Sequence, residues 1–156
     1  MEEPQALNSV AEFHRTFKHP IQEQPKMPTK ERAALRVSLL AEELKELQQA
    51  IDDNDMIEVA DALCDLQYVL SGAILEFGLG EKFKALFDEV HRSNMSKACK
   101  TVEEAHQTIA HYLAKDNVEA HYKELDGLFL VYRTADNKTL KSIAYSPAGI
   151  KAMMEE

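Results

Sequence analysis

No lysine or arginine occurs between Lys45 and Lys82, although that stretch holds Glu46, Asp52, Asp53, Asp55, Glu58, Asp61, Asp65 and Glu76. Basic residues are scarce throughout, 18 against 27 acids, for a formal net charge of −9. Such a chain repels a phosphate backbone and gains nothing from counterion release, which argues against a nucleic-acid polymer as partner. Long apolar runs are missing too. The most apolar window, YVLSGAILEFGLG, is too short to span a bilayer and contains Glu76, so no membrane association is expected. The N-terminus, MEEPQALNSV, has acids where a secretory signal would have lysines, and no apolar stretch follows it. Cysteine is limited to Cys64 and Cys99, without a CxxC spacing. Both are expected as reduced thiols of a cytoplasmic protein, with Cys64 packed in an apolar helical pattern. The glycine-rich phosphate loop G-x-x-x-x-G-K-[ST] is absent, which excludes a P-loop site. The six histidines show no zinc-ligand spacing, and Glu103-x-x-His106 is a lone E-x-x-H where a di-iron bundle needs two.

What is present is a set of helix-forming patterns. With 156 residues, 45% hydrophobic and 29% charged, the chain fits one folded domain with appendages. Leu7, Val10, Phe13 and Phe17 recur at helical spacing and predict a first helix. Pro20, Pro25 and Pro28 then impose an extended surface connector. Thr29 is placed to cap a helix over about 30–51, which DDND breaks. Another long helix runs over about 55–77 and stops at Gly78 and Gly80. Shorter helices follow at about 81–92 and from Thr101, the latter opened by a capping box of Thr101 and Glu104. Beyond Asn117, GLFLVYRTADNKTLKSIAY predicts a small hairpin turning at Ala-Asp-Asn-Lys. The expected fold is all-α, a helical bundle with antiparallel helix pairs, plus this small C-terminal β-hairpin.

The acids fall in register with these helices. At about 100° per residue, Ser38, Lys45, Gln48, Gln49 and Asp52 gather on one face of the 30–51 helix and Leu40, Leu44, Leu47 and Ile51 on another. Glu42, Glu43 and Glu46 lie on a third sector, beside Leu35 and Leu39. On the next helix Glu58, Asp61 and Asp65 form one stripe, continued by Tyr68, Gly72 and Glu76. If DDND is the tip of an antiparallel pair, Glu46 faces Asp61 and Glu42 faces Asp65. A single acidic stripe is ordinarily a solvated face, and Glu58 can also be read as part of a capping box begun by Asp55. Two facing stripes without a cation raise carboxyl pKa values or bind a hard divalent cation such as Mg²⁺ or Mn²⁺.

Glu42-Glu43-x-x-Glu46 followed by Glu58-x-x-Asp61 resembles the E-E-x-x-E and E-x-x-D signature of the all-α nucleoside triphosphate pyrophosphohydrolases, the MazG-like group that includes phosphoribosyl-ATP pyrophosphatase. HRSNMSK resembles the family's Ser-Asn-x-x-Lys segment, and NKTLKSIAYSPAGI its Gly-Lys-x-x-Lys…Tyr-x-x-Pro tail. Against that pattern, residues 30–100 are the core, 101–133 an insertion-like segment and 134–156 the tail of a single domain. The resemblance implies hydrolysis of a (deoxy)nucleoside triphosphate to monophosphate and pyrophosphate. It implies Mg²⁺ (or Mn²⁺) held by Glu43, Glu46, Glu58 and Asp61, with Asp65 as a further ligand or support and Glu42 acting on the attacking water. Asn94 and Lys97 are the candidates for phosphate oxygens, and Arg36, Lys141 and Tyr145 for phosphate or base. Lys82, Lys84, Arg92, Lys97 and Lys100 supply local positive charge in an acidic chain. A homodimer or homotetramer is expected, because the long apolar helices offer more buried face than one small bundle can cover. The alternatives are phosphoribosyl-ATP as the substrate, or a helical nucleotide-binding or interaction module that has lost turnover.

Overall fold

A computed structural model of the chain describes residues 1–155. The chain divides into two compact units, Met1–Lys84 and Ala85–Glu156. The fold is mostly helical with one small antiparallel hairpin, as an all-α protein requires. No helix among the described residues is long and apolar enough to cross a membrane.

The first unit is built on α1 (Ala6–Phe17), α2 (Lys30–Asp52) and α3 (Met56–Glu76). Thr29 caps α2 by accepting from the Arg32 N–H at 3.3 Å. The tip between α2 and α3 is tight because Asn54 adopts φ 54°, a left-handed conformation that asparagine tolerates. Asp55 then caps α3 through Oδ1, which accepts from the Ile57 and Glu58 N–H groups. The result is the expected antiparallel pair, packed along its length. The connector after α1 is laced to the end of α3: Gln22 N–H donates to Leu75 O at 3.0 Å and Lys26 N–H to Phe77 O at 3.1 Å. Gly78 permits this approach, since its φ is +68° and a Cβ there would meet Gln24 O at 1.9 Å.

On the leucine face of α2, Leu44 and Ile51 are exposed, while Leu40 and Leu47 are half-buried. One expectation about burial is corrected: Cys64 is exposed, because it stands about 100° around α3 from Asp65, away from the side facing α2. Val37, Leu44 and Ile51 on α2 and Met56, Leu63 and Leu70 on α3 are all exposed at seven-residue intervals. In the hairpin register they pair as three rungs, 37 with 70, 44 with 63 and 51 with 56. By helical period this apolar stripe lies on the face of the pair away from the acids.

The second unit comprises α4 (Phe83–Met95), whose first turn crosses the boundary, α5 (Val102–Asp116), β1 (Ala120–Leu125), β2 (Leu128–Arg133) and α6 (Ile150–Glu155). Its core is Cys99, Ala105, Val131 and Leu140, joined by Ile109, Tyr112, Tyr122 and Phe129. Thr101 caps α5 as expected, but Glu104 reaches back to the Lys100 N–H rather than to Thr101. The hairpin turns at Asp126-Gly127, not at Ala135–Lys138. Both turn residues have positive φ, 50° and 77°, the paired left-handed geometry that a two-residue hairpin needs and that Asp-Gly supplies. The Ala-Asp-Asn-Lys segment does fold the chain back, yet only as far as a single Tyr132–Thr139 bridge on the other edge of β2.

Candidate active site

Five of the six acids predicted to form a seam, Glu42, Glu43, Glu46, Asp61 and Asp65, come together in the first unit, while Glu58 stands in the first turn of α3. Glu43 is half-buried, and Glu42, Glu46, Glu58, Asp61 and Asp65 are exposed. Burial first, then the negative charges of Glu46, Asp65, Glu42 and Asp61, push the Glu43 carboxyl above its ordinary value. Neighbours from both helices therefore act on one carboxylate, as the antiparallel register requires. No ion-pair partner reaches any of the six among the described residues. Nor do three or more His, Cys, Asp or Glu side chains among the described residues close on one point as a ready-made metal cage. The seam is an open row of oxygen donors with unrelieved repulsion, and that donor set suits a hard cation such as Mg²⁺ or Mn²⁺ better than a soft one.

The same stripe of α3 ends differently. Glu76 is 1% exposed and receives hydrogen bonds from both Arg32 and Arg36. Desolvation opposes its ionisation, but the arginine hydrogen bonds and charges outweigh it and hold the carboxyl below its ordinary value. Arg36 also donates to His14 Nε2 at 3.2 Å. Because Pro20 O can only accept, His14 Nδ1 carries the proton in their 2.9 Å bond, so the ring is the neutral Nδ1–H tautomer. Burial, chiefly, keeps its pKa below the ordinary value. Gly72 makes room for the knot, since a Cβ there would stand 2.7 Å from Arg36 Nη1.

Arg36, expected as a substrate contact, is thus buried and committed to Glu76 and His14. The partners Arg32, His14 and Glu76 were not anticipated. The i, i+4 spacing of Arg32 and Arg36, and a glutamate closing an otherwise uncompensated stripe, were the available signals.

The remaining candidates lie in the second unit. Asn94 Oδ1 accepts from Lys97 Nζ at 2.8 Å, and Lys141 Nζ sits 4.4 Å from the centre of the Tyr145 ring. The Tyr145 hydroxyl accepts from Ser93 Oγ at 3.1 Å. That bond first, then the charges of Lys141, Lys97 and Arg92, lowers its pKa. Arg92 is itself engaged by Glu89 and by the Ser146 and Pro147 carbonyls. Lys100 is exposed.

Residues 10–94, more than half of the chain, match the phosphoribosyl-ATP pyrophosphohydrolase family. The chain belongs to this family, within the MazG-like all-α superfamily. The matched region runs from α1 to Asn94 and includes every acid of the seam as well as the Glu76 knot. Over 93 residues the chain is also 31% identical to "Uncharacterized protein L479" of Acanthamoeba polyphaga mimivirus, a match covering 57% of this chain and 37% of that relative.

Proposed function

We propose that the acidic seam is the catalytic centre of a Mg²⁺-dependent nucleoside triphosphate pyrophosphohydrolase acting on cytoplasmic nucleotide pools. The observation that carries this reading is the meeting of Glu42, Glu43, Glu46, Asp61 and Asp65 from two helices with no ion-pair partner for any of them among the described residues; burial first, and then these charges, raises the Glu43 pKa. Family membership supplies the chemistry that such a seam would perform. Glu43, Glu46, Glu58 and Asp61 would hold Mg²⁺ or Mn²⁺, supported by Asp65. A bound divalent cation screens the triphosphate charge and polarises the phosphorus toward attack. Glu42, exposed at the edge of the seam, orients water and takes its proton. The water oxygen bonds to phosphorus as the bridging bond between the α and β phosphates breaks, and pyrophosphate leaves. Asn94, Lys97, Lys141 and Tyr145 have the charge and hydrogen-bonding groups that phosphate oxygens require, and their assignment to substrate rests on the family motif.

The family's own description favours a second substrate, phosphoribosyl-ATP. Pyrophosphate release from ribo- and deoxyribonucleoside triphosphates and phosphoribosyl-ATP, with Mg²⁺, Mn²⁺ or EDTA, tests both. Cation-dependent pyrophosphate with matching monophosphate is expected. Nucleotide binding without pyrophosphate from any of them would replace the enzyme with a binding module.

The three apolar rungs of the α2–α3 pair fit a second copy of the chain, because the same uncharged ladder is self-complementary under a two-fold axis. Light scattering should give a homodimer or homotetramer that Leu63→Glu dissociates; an unchanged mass would remove this face from the assembly.

A further inference from the structure

Beside the knot lies a cavity of about 240 Å³, wholly within the first unit. Phe13 and Tyr68 wall it, their rings edge to face at 5.7 Å. His19 stacks on Phe13 at 5.7 Å and 15°, and Leu35 and Leu39 close another side. Phe13 and Tyr68 remain about two-fifths exposed, at 37% and 39%, so the aromatic surface is open to a ligand. Arg36 also lines the cavity, and its Nε is buried with no hydrogen-bond partner among the described residues.

Position gives the cavity its meaning. Tyr68 stands three residues beyond Asp65, and Leu39 four residues before Glu43, so the cavity continues the same faces of α3 and α2 that carry the acids. Its size suits one planar ring system and is below that of pockets that enclose a whole drug-sized ligand. The knot consumes the charge of Arg32 and Arg36, so the walls offer aromatic and apolar packing rather than a phosphate site.

We propose that this cavity receives the nucleobase of the substrate, packed against the Phe13 and Tyr68 rings, while the triphosphate lies along the acids. This deepens the phosphohydrolase reading of the seam and rests on it for the second half of the claim.

The test compares wild type with Tyr68→Leu, Phe13→Leu and Tyr68→Phe, all checked for folding by circular dichroism. Two readouts are used: KM for nucleoside triphosphates against inhibition by inorganic tripolyphosphate, which has no base, and saturation-transfer NMR with phosphate-free ribonucleosides in EDTA. Loss of stacking in either Leu variant should raise KM about tenfold and abolish saturation transfer to the base protons, with tripolyphosphate inhibition unchanged. Tyr68→Phe, which keeps the ring, should restore both. Wild-type KM and wild-type nucleoside signals in both Leu variants would overturn the proposal. If wild type releases no pyrophosphate yet ring-dependent nucleoside signals persist, the pocket stands and the catalytic reading of the seam fails.

Discussion

The acidic stripe of α3 has two ends that differ in what surrounds them. At the C-terminal end Glu76 is buried under α1 and neutralised by two arginines, with His14 completing the knot. Toward the N-terminal end Glu58, Asp61 and Asp65 are exposed, Asp61 and Asp65 act on Glu43 of α2, and no ion-pair partner reaches any of the three among the described residues. Burying a carboxylate is tolerable only with its partners in place, so the knot is a structural joint between α1, α2 and α3. Uncompensated carboxylates, by contrast, cost stability and are retained where something else, a cation or a reaction, uses them.

Removing the buried anion should break the comparison most severely. Glu76→Ala leaves Arg36 buried without a counter-charge and is expected to cost about 3–5 kcal/mol. Calorimetry should read this as a fall in the thermal midpoint of at least about 6 °C. A change well below that would mean that the knot does not hold the helices together. Asp61→Asn is the opposite case: turnover should drop at least about 100-fold while the thermal midpoint stays level or rises. If Asp61→Asn loses folded protein, the seam is structural after all.

The two ends should also answer pH in opposite directions. His14, whose pKa is depressed mainly by burial, resists in the folded state a proton that the unfolded chain accepts below about 6.5. Its contribution is complete above that value and is lost as pH falls, so urea midpoints should decline from about pH 7.5 to about pH 5.5. The slope should vanish in His14→Asn, and a slope that persists there belongs to other groups. Glu43 has a raised pKa, so its sign is reversed. It favours folding below the ordinary carboxylate value of 4.5, and that contribution fades as pH rises through its elevated folded value. Glu43→Gln should therefore raise the metal-free thermal midpoint near neutral pH by about 1 °C, the smallest effect of the four. A fall instead would show that the Glu43 charge is compensated within the protein.

The helices and the α2–α3 register were legible because caps, breakers and the 3.6-residue period are local properties. Thr29, DDND and Gly78 act within a turn of where they stand. The seam followed from that register, since spacing along each helix and one tight tip decide which acids meet. The hairpin was misplaced because two turn-like segments compete in the same stretch, and only Asp126-Gly127 has the positive-φ pair on which strands can close.

By itself, then, the order of residues determined the helical elements, the pairing of α2 with α3 and the approach of Asp61 and Asp65 to the glutamates of α2, all through short-range periodicity. Tertiary structure alone decided which acid of the stripe was neutralised, which leucines stayed exposed and where an aromatic cavity formed. The first and the last depend on α1 returning over the end of α3, a contact between residues some sixty positions apart that brings His14 against Gly72 and Phe13 against Tyr68. No pattern along the chain encodes that meeting, because burial and ion pairing are settled by what packs overhead.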